Sequence, residues 1–113
     1  MVLKYMDNIK GDKYYIEKVI ENIDVIIEYT SNKTYDEFIS NGFLIDATMF
    51  RLVQMVENLN QISEEYKNQH SKIAWKQIIG FRNKIVHEYG KTDYTVVYEI
   101  ISSDIYLLKE ELK

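Results

Sequence analysis

The stretch Ile16-Glu17-Lys18-Val19-Ile20-Glu21-Asn22-Ile23-Asp24-Val25-Ile26-Ile27-Glu28 decides the fold class. Its isoleucines and Val19 recur at i, i+3, i+4 and i+7, and charged or amide side chains fill most positions between them. That is the period of a helix burying one stripe; a half-buried strand would alternate instead. The pattern predicts a first long helix from Asp12 to Thr30, with Asp12 as its N-cap. Ser31-Asn32-Lys33 breaks the pattern, and Thr34-x-x-Glu37 then has capping-box spacing for a short second helix that Asn41-Gly42 can end. A third long helix is predicted over residues 43–66, with Ala47, Phe50, Leu52, Met55, Val56, Leu59 and Ile62 as its apolar positions. The polar string from Lys67 to Lys72 closes it. A fourth follows over residues 74–88, with Gly90 as its stop, and Asp93 can cap a fifth carrying Val96, Val97, Ile100, Ile101, Ile105 and Leu108. Short connections make neighbouring helices antiparallel. The expected fold is all-α, a single-domain antiparallel bundle of four to five helices over residues 1–113.

Composition narrows the function. The 113 residues contain no proline and four glycines, too little punctuation for an all-β domain. With no cysteine there is no disulfide framework, thiolate nucleophile or cysteine zinc site. Nitrogen ligands are limited to His70 and His87, so a metal site would have to lean on carboxylates, and none is expected. No apolar run approaches the ~18 residues that span a bilayer, and the N-terminus MVLKYMDNIKGDK lacks the apolar core of a signal peptide. A cytoplasmic protein with no membrane partner is expected. Formal net charge is −4, the wrong sign for bulk attraction to nucleic acid.

The fourth helix departs from the rules. At about 100° per residue, Phe81, Ala74, Ile85, Trp75, Val86 and Ile79 fall around Ile78 as a buried stripe, yet Arg82 falls about 40° from Ile78, inside that apolar arc. A guanidinium there needs partners for its donors. It can snorkel or pair with a carboxylate of another helix, or it can point into a cleft where its planar fork grips a phosphate. Asn83 and His87, four residues apart, share the opposite polar face. His87 near a helix C-terminus is electrostatically favourable in its own right; it is also the side chain suited to general acid–base work near neutral pH.

Charge is distributed unevenly. Between Lys72 and Lys91 the bases Lys72, Lys76, Arg82, Lys84 and Lys91 face one acid, Glu88, a local net of +4 that leaves −8 for the rest of the chain. Five bases can simply form a solvated face. Their placement around Arg82 and His87 also makes Lys76, Lys84 and Lys91 candidates for contact with a polyanion, because a local basic patch attracts polyanions that the remaining surface repels.

The string Gly80-Phe81-Arg82-Asn83-Lys84-Ile85-Val86-His87-Glu88-Tyr89, preceded by Ile73-Ala74-Trp75-Lys76-Gln77-Ile78-Ile79, resembles the HEPN superfamily and, more narrowly, its HepT-like toxins. Their signature is Arg-x4-His with a Tyr two residues on, filled here by Arg82, His87 and Tyr89; Asn83 matches the polar residue common after the Arg, and Asp93 the Asp after the loop. Glu28-Tyr29-Thr30 and Ser63-Glu64-Glu65-Tyr66 are also family-like. Two departures stand out: Val56-Glu57-Asn58-Leu59 occupies a segment often rich in small residues, and Glu88 a position often held by Gly.

The resemblance implies a HEPN-like fold and a metal-independent ribonuclease toxin, without cofactor, working as a homodimer that joins two Arg-x4-His motifs in one cleft. It implies an MNT-type nucleotidyltransferase antitoxin as partner. By carry-over Arg82 and His87 are catalytic, Asn83 supports them, and Tyr89 accepts the silencing AMP. The chemistry is coherent, because RNA carries its own nucleophile, the 2′-OH, which needs deprotonation, while Arg82 would stabilise charge gathering on the phosphoryl oxygens. One histidine cannot comfortably be both base and acid, and a two-fold pair supplies a second. A straight helix, however, separates Arg82 and His87 by about 140°. Convergence then needs Arg82's reach, an unwound helix near His87, or the partner chain. Tyr89 lies near the buried side of the wheel, so it is either a core aromatic or, if Gly90 ends the helix early, free to swing beside His87. The alternative function is a non-catalytic helical subunit that holds nucleotide or substrate for a nucleotidyltransferase.

Overall fold

The computed structural model describes residues 10–87 and 93–112, with Arg82, Ile85, Val86 and His87 described by their backbone. Helix α1 is Asp12–Thr30, α2 Tyr35–Ile39, α3 Gly42–Asn60, α4 Glu64–Gln69 and α5 Trp75–His87. The last helical run is α6, Tyr94–Glu99, continued by a π-helical turn over Ile100–Asp104 into α7, Ile105–Glu111. The fold is all-α and HEPN-like, as the sequence led us to expect.

Cross-links between elements fix their directions. Asp12 at the start of α1 bonds Ser63 just beyond the end of α3, and Arg51 Nη1 donates to Asn22 Oδ1 at 3.3 Å, so α1 and α3 run antiparallel. Lys109 Nζ meets Asp24 Oδ1 at 2.6 Å, and the Tyr98 hydroxyl donates to the Lys33 carbonyl, which sets the α6–α7 run antiparallel to α1 as well. The core lies among these helices and α5. Val19, Ile23 and Ile26 of α1, Leu52, Val56 and Leu59 of α3, and Val97, Ile101 and Ile105 of the last run are buried there. Buried Asn22 is satisfied, donating to the Lys18 carbonyl while accepting from Arg51.

Several boundaries differ from the sequence expectation. Asp12 does not cap α1; the N-cap position is Gly11, and the Asp12 carboxylate is taken by Ser63. The Thr34–Glu37 capping box forms with both reciprocal bonds. Asn41-Gly42 does not end α2, which stops at Ile39; Asn41 instead caps α3, accepting from the Leu44 N–H, and Gly42 opens that helix. The predicted third helix divides, because Ser63 accepts from the Tyr66 N–H and starts a new helix, α4. Ile62 lies in the gap yet remains buried, which is why the apolar period runs on through the break. Phe50 was expected among the apolar stripe but is exposed. Asp93 caps α6 as expected, accepting from the Thr95 N–H. In the π turn, the Ser102 and Ser103 hydroxyls donate to the carbonyls of Tyr98 and Glu99 at 2.6 and 2.9 Å. Serines placed there supply bonds to carbonyls that the widened turn leaves underused. The turn at Asn32 has φ 66°, a left-handed conformation that Asn tolerates better than most residues. Among the described residues no helix is long and apolar enough to cross a membrane.

Candidate nucleic-acid interface on the motif helix

Helix α5 is anchored at its first residue. The Trp75 indole N–H donates to the His70 carbonyl at 3.0 Å, and the ring stands edge-on to Tyr66 at 6.2 Å between centroids. His70 stacks on Tyr66 at 3.8 Å, with 11° between the ring planes. Its Nδ1 lies 2.9 Å from the Tyr66 carbonyl, which can only accept, so that nitrogen carries the proton. Burial pushes the Tyr66 hydroxyl above its ordinary pKa, and the Asp12 carboxylate adds to the effect. The second histidine therefore serves the corner between α4 and α5. Roughly 18 Å of helix separates Trp75 from the His87 backbone, so His70 is not a neighbour of the motif histidine within one protomer.

From that anchor α5 continues as α-helix through His87. Trp75 is buried, while Ile78, Ile79 and Phe81 are half-buried on the side facing the bundle. Position 82 falls between Ile78 and Ile79 on the wheel, so the Arg82 backbone sits on the bundle-facing side, as its sequence position implied. Positions 76, 80, 83 and 87 recur at i, i+4, i+7 and i+11 and form one line along the opposite face. Lys76, Gly80 and Asn83 on that line are exposed, as are Lys72 and Lys84 nearby.

The unbroken helix removes one of the three routes to convergence. With regular α geometry up to His87, the Arg82 and His87 backbones are held about 140° apart and about 7.5 Å apart along the axis. The side chain's reach or a second chain must close that gap. Tyr89 and Lys91, together with Glu88 and Gly90, lie outside the described residues, as do the side chains of Arg82 and His87.

Beside α5 runs an open groove of about 450 Å³ between that helix and α7, lined chiefly by Met55, Ile73, Ile78, Phe81, Ile105 and Leu108. Its rim mixes Lys72 with Asp104 and Glu111. An apolar trough with two carboxylates at its edge is poorly suited to phosphate, whereas the outer side of α5 carries exposed Lys76, with exposed Lys72 and Lys84 nearby. Among the described residues no three His, Asp or Glu side chains group as a metal-holding cluster.

A family model described as "Ribonuclease HepT-like" matches residues 19–113, all of the helical framework beyond the first turns of α1. The chain belongs to the ribonuclease HepT-like family. Similar curated proteins include "Putative RNase" from Caldanaerobacter subterraneus subsp. tengcongensis, 28% identical over 92% of this chain and 93% of that one. "Probable ribonuclease HepT" from Thermococcus cleftensis is 26% identical over 88% of this chain and 91% of its own length. "Gamma-glutamylcyclotransferase and putative RNase" from Methanocaldococcus jannaschii is 32% identical over 91% of this chain. The chain spans about half of that last protein, 46% of its length. No solved structure matches the chain. Of the Arg-x4-His-x-Tyr residues, Arg82 and His87 belong to the C-terminal half of α5, and Tyr89 lies outside the described residues.

Proposed function

We propose that this HepT-like chain, acting as one domain, is a metal-independent endoribonuclease and the toxin of a toxin–antitoxin pair. The observation that carries the reading is that the sequence holds an intact Arg-x4-His-x-Tyr motif, whose Arg82 and His87 belong to a basic helix, in a chain matched by the ribonuclease HepT-like family. Names of similar proteins support the same substrate class, since several are described as RNases.

In the proposed reaction a neutral His87 imidazole takes the proton of an RNA 2′-OH. The freed oxygen attacks the adjacent phosphorus, the bond to the 5′-oxygen breaks, and a protonated His87 from a second protomer returns a proton to that leaving oxygen. The products are a 2′,3′-cyclic phosphate and a 5′-OH. Arg82 donates its planar fork to the non-bridging oxygens as charge builds, and Asn83 supports the pair. Lys76, Lys84 and Lys91 contact flanking phosphates. The separation imposed by α5 favours a homodimer, in which Arg82 of one copy reaches the substrate held by His87 of the other. Silencing falls to an MNT-type nucleotidyltransferase antitoxin that transfers AMP from ATP to the Tyr89 hydroxyl, which loses its proton as pyrophosphate leaves, placing a bulky anion against Arg82.

Purified protein incubated with RNA, with and without chelator, tests the reading. Cleavage that survives chelator and leaves cyclic phosphate ends is expected for wild type, and none for His87→Ala. Retained cleavage in His87→Ala, or loss of wild-type cleavage on chelation, overturns the mechanism. Co-expression with an MNT-type nucleotidyltransferase should add an adenylate mass to the Tyr89 peptide, and an unmodified peptide refutes that part.

A further inference from the structure

Helices α5 and α7 turn matching faces toward the groove between them. Ala74, just ahead of α5, and Gln77, Ile78 and Phe81 on it line one wall; spacing of i, i+3, i+4 and i+7 puts them on one face. Asp104, Leu107, Leu108 and Glu111 line the other wall with the same spacing. Met55 of α3, buried, forms the floor. The groove is open, because Leu107 is 63% exposed and Ala74 and Gln77 on the facing wall are exposed too. Scattered apolar side chains on a surface are ordinary, but two helical stripes flanking one trough make a seat for a third helix.

Charge says which helix fits. Both carboxylates are on the α7 wall, seven residues and about 10 Å apart along the axis. Neither Asp104 nor Glu111 makes an ion pair among the described residues. The base of the lining, Lys72, precedes α5 on the other wall. Helix α7 is held from behind, where Lys109 meets Asp24 of α1 at 2.6 Å, on a side about 160° round from Glu111. The anchoring of α7 therefore leaves both carboxylates facing the groove. A polyanion or an acidic segment meets two like charges there, whereas a helix with two bases seven residues apart meets two opposite ones.

We propose that the groove between α5 and α7 is the docking site for an amphipathic helix of another protein. Its apolar stripe lies between the two walls, and two Lys or Arg side chains seven residues apart pair with Asp104 and Glu111. The seat reaches Phe81, next to Arg82, so the docked helix holds the motif helix by its bundle-side edge. Positions 76, 80 and 83 lie on the opposite side of α5 from Ile78, and docking leaves them open. The inference stands apart from the ribonuclease reading, since it needs neither RNA nor cleavage.

The probe is a dye-labelled, alanine-based peptide of about 18 residues, five helical turns. It carries leucines at i, i+3, i+4, i+7 and i+11, and two lysines seven residues apart beside that stripe; a second peptide has glutamates in place of the lysines. By fluorescence anisotropy the wild-type chain should bind the lysine peptide at least about tenfold more tightly than the glutamate peptide. Asp104→Lys/Glu111→Lys should reverse that preference. Glu17→Lys/Glu28→Lys makes the same change of net charge at exposed positions of α1 and should keep it. Leu107→Asp alters a side chain already in solvent, so its helical circular dichroism and its sedimentation should match wild type, while it should lose both peptides. Failure of wild type to bind, absence of the reversal, a reversal by the α1 pair as well, or retained binding by Leu107→Asp overturns the proposal. A Leu107→Asp chain that sediments as a smaller species than wild type assigns the groove to a second copy instead and overturns it too.

Discussion

Asp12 and Ser63, 51 positions apart, are joined by two hydrogen bonds: the Ser63 N–H donates to Oδ1 at 2.8 Å and its hydroxyl to Oδ2 at 2.7 Å. The same hydroxyl accepts from the Tyr66 N–H at 3.1 Å, so one carboxylate fixes the cap of α4 to the start of α1. Removing that cap with Ser63→Ala should cost about 1 kcal/mol of stability, read as a lowered urea midpoint.

Acid should weaken the same tie. The Ser63 hydroxyl, and after it the Ser63 N–H, hold the Asp12 carboxyl below its ordinary pKa, and the Thr34 N–H with the Thr34 hydroxyl do the same for Glu37. A carboxyl whose pKa is lowered by folding adds stability that is complete above its unfolded value, about 4, and is lost as pH falls through the folded one. The melting temperature of wild type should therefore fall more steeply between neutral pH and pH 3 than that of Asp12→Asn. Parallel curves would show that the two bonds contribute nothing.

Thr48 of α3 is fully buried, and among the described residues its hydroxyl has no hydrogen-bond partner. An unsatisfied buried hydroxyl is destabilising, and an apolar side chain of the same shape removes the penalty. Thr48→Val should raise stability by about 1 kcal/mol in denaturant titration.

Gly80 sits in mid-α5 with an exposed outer face, and a Cβ built there meets nothing within 4 Å. Gly80→Ala should stabilise the helix by about 0.5–1 kcal/mol. Because the new methyl would stand on the line shared with Lys76 and Asn83, comparing its stability with its RNA affinity tells whether that line is a contact surface: greater stability with weaker binding is the expected result.

The charged groups should separate by what they do. Arg82→Lys keeps the charge but loses the bidentate fork, so cleavage should fall about 100-fold while RNA affinity changes little. Lys76→Gln and Lys84→Gln should instead each reduce the slope of log affinity against log salt by about 0.7. Equal slopes in wild type and variants would remove these lysines from the interface.

Much of the fold was readable in the residues, for local reasons. The apolar stripe of α1, the Thr34–Glu37 box and the Asp93 cap rest on neighbours two to four positions away, which a sequence displays. The misplacements came from tertiary competition. Asp12 has the chemistry of an N-cap, but a serine far along the chain offers it two donors. Ile62 continues the helical period because it fills the core from a non-helical link, and that hid the break before Ser63. Asn41-Gly42 has the composition of a helix stop, yet a side-chain acceptor before a helix starts one equally well, and Asn41 Oδ1 accepts from the Leu44 N–H. At the candidate site, the shared face of positions 83 and 87 followed from helical spacing alone. Phe50 is exposed because helical spacing sets it about 160° from buried Leu52, so its apolar type alone put it in the stripe.

Trp75 is the only tryptophan among 113 residues, and it sits where α5 meets α4, its indole N–H on the His70 carbonyl and Lys67 Nζ 5.9 Å from its ring centre. The molecule thus carries a built-in optical reporter of a single corner. Emission from unlabelled protein registers displacement of the motif helix at its root, and RNA engagement that leaves the root in place should leave the spectrum unchanged.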